Sequence, residues 1–251
     1  MTVVPVLLYH AISASPPPGL KRFTVHPRQF AEHVAVLRDA GRAGLTVSQF
    51  AACLRGGAPL PDRPVLVTFD DGYADFLQAA EWLLSARLPS TLYVTTAAVG
   101  TTGMLSRRQL SSLGQAVEVG AHSRTHPRLD ELAPARLRSE VYGSKAELED
   151  VLQRPVRSFA YPHGDHDQDV RRTVVAARFE SAAAVKNALS HDRDDPFAIA
   201  RVTVTADVTA RRIEELLRGR GAPTAWAGER RRTQAYRAVR RLRRRVLGAT
   251  A

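Results

Sequence analysis

Four polar clusters in the sequence each follow an apolar run: Tyr9-His10, Phe69-Asp70-Asp71-Gly72, His122-Ser123-Arg124-Thr125-His126 and Tyr161-Pro162-His163-Gly164. Asp-Asp-Gly by itself is an ordinary turn composition. Two adjacent carboxylates at the end of an apolar strand nevertheless repel each other unless positive charge lies nearby. A metal ion resolves that conflict: one carboxylate binds it and the other stays free to accept a proton. His122 and His126 are four residues apart, a spacing that puts both imidazoles on one side if the segment makes a helical turn. Joined with Asp71, two imidazoles and a carboxylate suit zinc or a similar divalent ion, with a position left for water. His163 and His166 read as solvent-facing or substrate-touching rather than as ligands.

Side chains so far apart in sequence need a scaffold that gathers the ends of several strands. Short β-branched runs alternate with longer amphipathic stretches, the pattern of repeated β-α units. Strands are expected at Val3–Tyr9, Pro64–Phe69, Thr91–Thr95, Val117–Gly120, Ser158–Tyr161, Ser181–Val185 and Ile199–Val204. Pro27 opens a helix with Phe30, Val34 and Leu37 on one face. Ser48 is read as the cap of a short helix through Leu54. Further helices are expected from about Ala74 to Ala86, from Pro134 to Leu152 (inner face Leu137, Val141, Leu148, Val151 and Leu152), and from Thr209 to about Arg218. Some seven strands, most followed by helices, predict an α/β fold, a distorted (β/α) barrel rather than an open sheet. In such barrels reactive residues sit where strands end and loops begin, which is where all four clusters fall.

The chain has 251 residues, 44% of them hydrophobic, enough for one substantial core. A single cysteine, Cys53, excludes a disulfide within the chain and a cysteine-based zinc site; its apolar surroundings suggest a buried small side chain. No basic leader precedes the first apolar run, and no stretch of about 18 apolar residues occurs. The expected location is therefore the cytoplasm. The net charge of +11 is concentrated at the end, with nine arginines between Arg230 and Arg245. Residues 1–228 are read as the barrel and 229–251 as a basic tail. That tail is either a solvated terminus or a basic amphipathic helix touching anionic lipid at the inner membrane surface. A sequence-specific nucleic-acid partner is not expected.

The segments Val67-Thr68-Phe69-Asp70-Asp71-Gly72-Tyr73 and Gly120-Ala121-His122-Ser123-Arg124-Thr125-His126 resemble the first two motifs of the polysaccharide deacetylase (NodB-homology) family, carbohydrate esterase family 4. Phe159-Ala160-Tyr161-Pro162-His163-Gly164 looks like the third motif. Pro5-Val6-Leu7-Leu8-Tyr9-His10 is similar to the branch that deacetylates poly-N-acetylglucosamine. The resemblance implies Asp70 as general base and Asp71, His122 and His126 as ligands of a divalent metal, zinc foremost. Tyr161 and Pro162 would bind substrate, with the Tyr161 N–H offered to the developing oxyanion. The implied reaction removes an N-acetyl group from an amino sugar, which is polymeric, nucleotide-linked, lipid-linked or carried on a small molecule.

Two departures from the family pattern stand out. No late Leu-x-His motif follows Arg201 to supply the general acid; His10, ending the first strand, is the candidate in its place. The third motif also lacks the arginine that often pairs with the base, and Arg201 is either its substitute or an ordinary surface residue. Two rival functions fit parts of the pattern: a non-haem iron oxygenase with a two-histidine, one-carboxylate site, and a non-catalytic glycan-binding barrel.

Overall fold

The computed structural model describes residues 1–16 and 19–226. Seven parallel strands make one curled sheet: β1 (Val6–Tyr9), β2 (Pro64–Phe69), β3 (Ser90–Val94), β4 (Val117–Ala121), β5 (Ser158–Ala160), β6 (Ser181–Ala183) and β7 (Val202–Thr203). Their order in space is β6-β5-β4-β3-β2-β1-β7, with a two-residue strand at Ala43–Gly44 added beside the start of β2. The two ends of the sheet meet through a single parallel bridge between Ala183 and Ile199, so the barrel is closed but distorted. All six residues of β2 are buried, as expected where both faces of a parallel strand are covered.

Among the described residues seven α-helices accompany the strands: α1 (Pro27–Asp39), α2 (Val47–Leu54), α3 (Phe76–Ser85), α4 (Arg107–Ser111), α5 (Pro134–Leu152), α6 (Gln168–Ala176) and α7 (Ala210–Leu217). One apolar cluster fills the layer between sheet and helices. A second, with Val6, Leu66, Tyr93, Ala160, Ala183 and Ile199, fills the barrel interior. Val47, Phe50 and Ala51 of α2 belong to the interior cluster, so this helix stoppers the barrel at the N-terminal ends of the strands.

Several expectations are refined. Pro5 splits the first strand, because it has no N–H for a ladder; Val3–Val4 pair instead with Ser190–His191. The cap of α2 is Thr46, which forms a reciprocal capping box with Gln49, while Ser48 bonds the Glu118 carboxylate at 2.5 Å. The inner face of α5 includes Glu140 and Ser144 besides Leu137, Val141 and Leu148, whereas Val151 and Leu152 are only half-buried. Cys53 is likewise half-buried. After α7 the chain runs beside Leu189, where Thr224 bridges, and Ala225 O lies 3.3 Å from His191 Nε2. Since His191 pairs with Val3, the chain reaches residue 226 near the end of the barrel where β1 begins. The arginine-rich tail read at 229–251 lies outside the described residues. Among those described, no helix is long and apolar enough to cross a membrane.

Candidate active site

Asp70 and Asp71 leave β2 at the C-terminal mouth of the barrel. Strand alternation would send neighbours to opposite faces. Asp71 escapes that rule with a left-handed backbone, φ 77°, followed by Gly72 at φ 92°, so both carboxylates line the same pocket. Gly72 tolerates its conformation because it has no Cβ. The two acids then diverge electrostatically. Burial alone would raise the pKa of Asp70, but the Arg201 guanidinium and the His122 imidazole overcome it and bring the carboxyl down to about 2. Asp71, with no guanidinium bonded to it, is pushed up by burial to about 6, the neighbouring Asp70 charge adding to the effect while His10 and a hydrogen bond from Tyr73 oppose it.

Arg201 is fully buried and holds Asp70 through a fork of two bonds, 2.6 Å to Oδ1 and 2.8 Å to Oδ2. Its remaining donors reach Thr68 Oγ1 and Ala184 O, both at 3.2 Å, and its guanidinium lies 5.3 Å from the centre of the Tyr93 ring. The reading of Arg201 as a surface residue is thereby overturned. The sequence signal available was its place two residues after Ile199 in a late apolar strand, which turns the side chain inward.

His122 and His126 converge without the helical turn their spacing suggested. The segment is a loop with left-handed residues at Ser123 (φ 61°) and His126 (φ 58°). Glu140 pins it from α5, accepting the N–H groups of Arg124 and Thr125, both at 2.9 Å, and the Thr125 hydroxyl at 2.6 Å. Ser123 Oγ accepts the His126 N–H at 3.0 Å. His122 Nδ1 lies 2.8 Å from Ala160 O, a carbonyl that can only accept, so the proton sits on Nδ1 and the Nε2 lone pair faces the carboxylates. Burial draws the His122 pKa down to about 3, keeping the ring neutral.

Asp71, His122 and His126 each offer one donor atom, all within 4.8 Å of one another. Asp71 Oδ1 lies 3.7 Å from His122 Nε2 and 3.5 Å from His126 Nε2. Donors about 2 Å from a tetrahedral zinc ion are about 3.4 Å apart, so this trio fits a divalent metal. The tautomer of His122, which turns the Nε2 lone pair toward Asp71, fits it as well.

The pocket encloses about 390 Å³, lined by these residues with His10, His163, Leu8, Leu20, Phe23, Val185 and Thr203. His10 thus joins the site, with Nδ1 buried and making no hydrogen bond within the protein. Burial lowers its pKa, while the Asp70 and Asp71 charges oppose that shift. His163 lies on the pocket wall, its ring centre 4.6 Å from that of His126, and stands outside the donor trio. His166 stacks on Tyr161 at 4.3 Å. The expectation for Tyr161 fails on geometry: its N–H donates to Ala183 O at 3.0 Å and its hydroxyl to Phe197 O at 3.0 Å, leaving no hydrogen for an oxyanion. Pro162 is buried and does not line the pocket. The third motif reaches the pocket through His163 instead.

Residues 57–182, half of the chain, match the family described as Polysaccharide deacetylase. The chain belongs to the polysaccharide deacetylase family. It is 24% identical over 204 residues to YxkH of Bacillus subtilis (strain 168), covering 80% of this chain and 71% of that protein. A 66-residue stretch is 38% identical to the poly-beta-1,6-N-acetyl-D-glucosamine N-deacetylase of Escherichia coli (strain K12), covering 24% of this chain but only 10% of the enzyme. The fold superposes on the Streptococcus pyogenes deacetylase PplD, solved in complex with acetate, with a TM-score of 0.79 at 20% identity over 86% of this chain and 98% of that one.

Proposed function

We propose that this chain is a metal-dependent hydrolase that removes the N-acetyl group from an amino sugar in a glycan or glycoconjugate. The observation that carries the reading is the division of labour between two adjacent carboxylates. Arg201 neutralises Asp70, while Asp71 faces two neutral imidazoles with no cation of its own. Asp71, His122 and His126 would hold the metal, most simply zinc, which when bound polarises the acetyl carbonyl and acidifies the attacking water.

The chain's own residues supply the proton transfers. Asp70 Oδ2 lies 3.7 Å from His122 Nε2, beside the donor trio, and accepts the proton of the water as it attacks. The C–N bond then breaks, and His10 delivers a proton to the departing amine, giving acetate and a free amino sugar. Leu8, Leu20, Phe23 and Val185 give the acetyl methyl an apolar surface beside this polar floor. The activity of the Escherichia coli relative supports a poly-beta-1,6-N-acetyl-D-glucosamine as the first substrate to try.

The test is elemental analysis of purified wild type beside His122→Ala and His126→Ala, followed by acetate release from N-acetylglucosamine oligomers. Near-stoichiometric divalent metal lost in both variants, with Asp70→Asn slower by about 10²–10⁴-fold, is expected. Metal retained in both variants, or full activity in Asp70→Asn, would refute the assignment.

A further inference from the structure

We propose that the end of the barrel opposite the active site is a docking surface for an anionic lipid bilayer. Strands in this fold run toward the active-site mouth and helices run back, so helix C-termini and the residues just before strands share the opposite end. Arg63 lies immediately before β2, Arg87 and Arg178 just after α3 and α6, and Arg220 just after α7. All four are exposed. Three of the nearby carboxylates are already engaged: Glu180 faces Arg55 at 3.6 Å and Arg157 at 3.7 Å, Glu214 pairs with Arg218 at 3.2 Å, and Asp39 pairs with Arg38 at 2.9 Å, while Asp62 beside Arg63 is exposed.

Two further observations mark this end as more than a solvated rim. Arg63, Arg87 and Arg178 have left-handed backbones, with φ of 51°, 57° and 61°. Glycine takes that conformation without strain, and arginine there brings strain together with a charge. Helix C-termini favour a cation through the helix dipole, which accounts for Arg87 and Arg178 in part and for Arg63 not at all. Exposed apolar side chains accompany the charges: Leu84, 61% exposed, is on the last turn of α3, and Val175, 44% exposed, is on the last turn of α6. Arginines interleaved with exposed aliphatic groups fit the headgroup–acyl boundary of a bilayer better than a nucleic-acid backbone, which offers nothing to Leu84 or Val175. The last described residue, 226, also lies at this end. Docked this way, the deacetylase mouth points away from the lipid, toward a glycan above the surface.

The experiment is co-sedimentation of the full-length chain with vesicles of phosphatidylcholine alone or mixed with phosphatidylglycerol. Wild type should bind only the anionic vesicles. The triple variant Arg63→Gly/Arg87→Gly/Arg178→Gly, in the full chain, should bind them about a hundredfold more weakly, since each arginine near the surface contributes about a factor of five. Its Tm should be unchanged or higher, because glycine relieves the backbone strain. Leu84→Ser/Val175→Ser should weaken vesicle binding and leave binding to duplex DNA unchanged. The proposal is overturned if wild type ignores anionic vesicles, if the triple variant binds them as wild type does, or if the Leu84/Val175 variant is indistinguishable from wild type.

Discussion

Asp70 and Asp71 are the same side chain one residue apart, and the barrel makes them different reagents. The difference comes from one buried guanidinium. Removing it in Arg201→Met leaves Asp70 charged and unpaired in the interior, a loss of about 3–5 kcal/mol in stability. The double variant Asp70→Asn/Arg201→Met should recover much of that loss in urea denaturation while remaining inactive. A single variant as stable as wild type would mean the ion pair contributes nothing. Asp75 provides a pH prediction away from the proposed metal ligands. Its Oδ2 accepts the Ile12 N–H at 3.0 Å, its Oδ1 is buried without a partner, and burial raises its pKa to about 6. A carboxyl raised in the folded state contributes stability that is complete below the unfolded pKa near 3.8 and lost as pH rises through about 6. Asp75→Asn should therefore stabilise the protein at pH 8 by about 1–2 kcal/mol, with solvent screening allowed for, and leave it unchanged near pH 4. Equal Tm differences at both pH values would refute this.

At the scale of elements, the sequence disclosed the strands of the sheet and five of the seven α-helices among the described residues, missing α4 and α6, and it located the polar clusters at strand ends. Pro64–Phe69 and Pro134–Leu152 have the bounds expected from their apolar runs and punctuating prolines. What it did not disclose was how the loops turn. His122 and His126 suggested a helical turn from their spacing; the real geometry depends on two left-handed residues and on Glu140, fourteen positions further along the chain, and no local pattern contains that information. The role of the Tyr161 N–H was misjudged for a related reason, because whether a backbone amide is free depends on its neighbour in the sheet, here Ala183. The importance of Glu140 can be tested directly. Glu140→Ala strips two backbone amides and a hydroxyl of their acceptor, so the His122–His126 loop should loosen. Metal affinity, measured by chelator competition, should fall about 10–100-fold. Unchanged affinity would show that the loop holds its shape without α5.

For the whole molecule, everything depends on how the barrel closes, since Arg201 arrives at Asp70 only because the last strand returns to β1. Val202 and Thr203 pair with Leu7 and Leu8, and Val204 N–H reaches Leu8 O at 2.8 Å, yet the seam to β6 is a single bridge. Asp194 latches the excursion between β6 and β7. Buried at 7% exposure, it accepts the Ala200 N–H at 2.9 Å and the Ser190 hydroxyl at 2.7 Å, and Lys186 stands 3.5 Å away. In Asp194→Ala, a buried amide, a hydroxyl and an ammonium lose their shared partner, and the global cost should be about 3–5 kcal/mol. Amide hydrogen exchange separates a latch from a general core residue. If Asp194 holds the seam, Val204 N–H should exchange much faster while the β3–β4 ladder keeps its protection, and deacetylation should fall as Arg201 loses its hold on Asp70. Uniform loss of protection across all the strands would mean that the barrel opens as one unit, and that Asp70 owes its position to the core as a whole rather than to the returning strand.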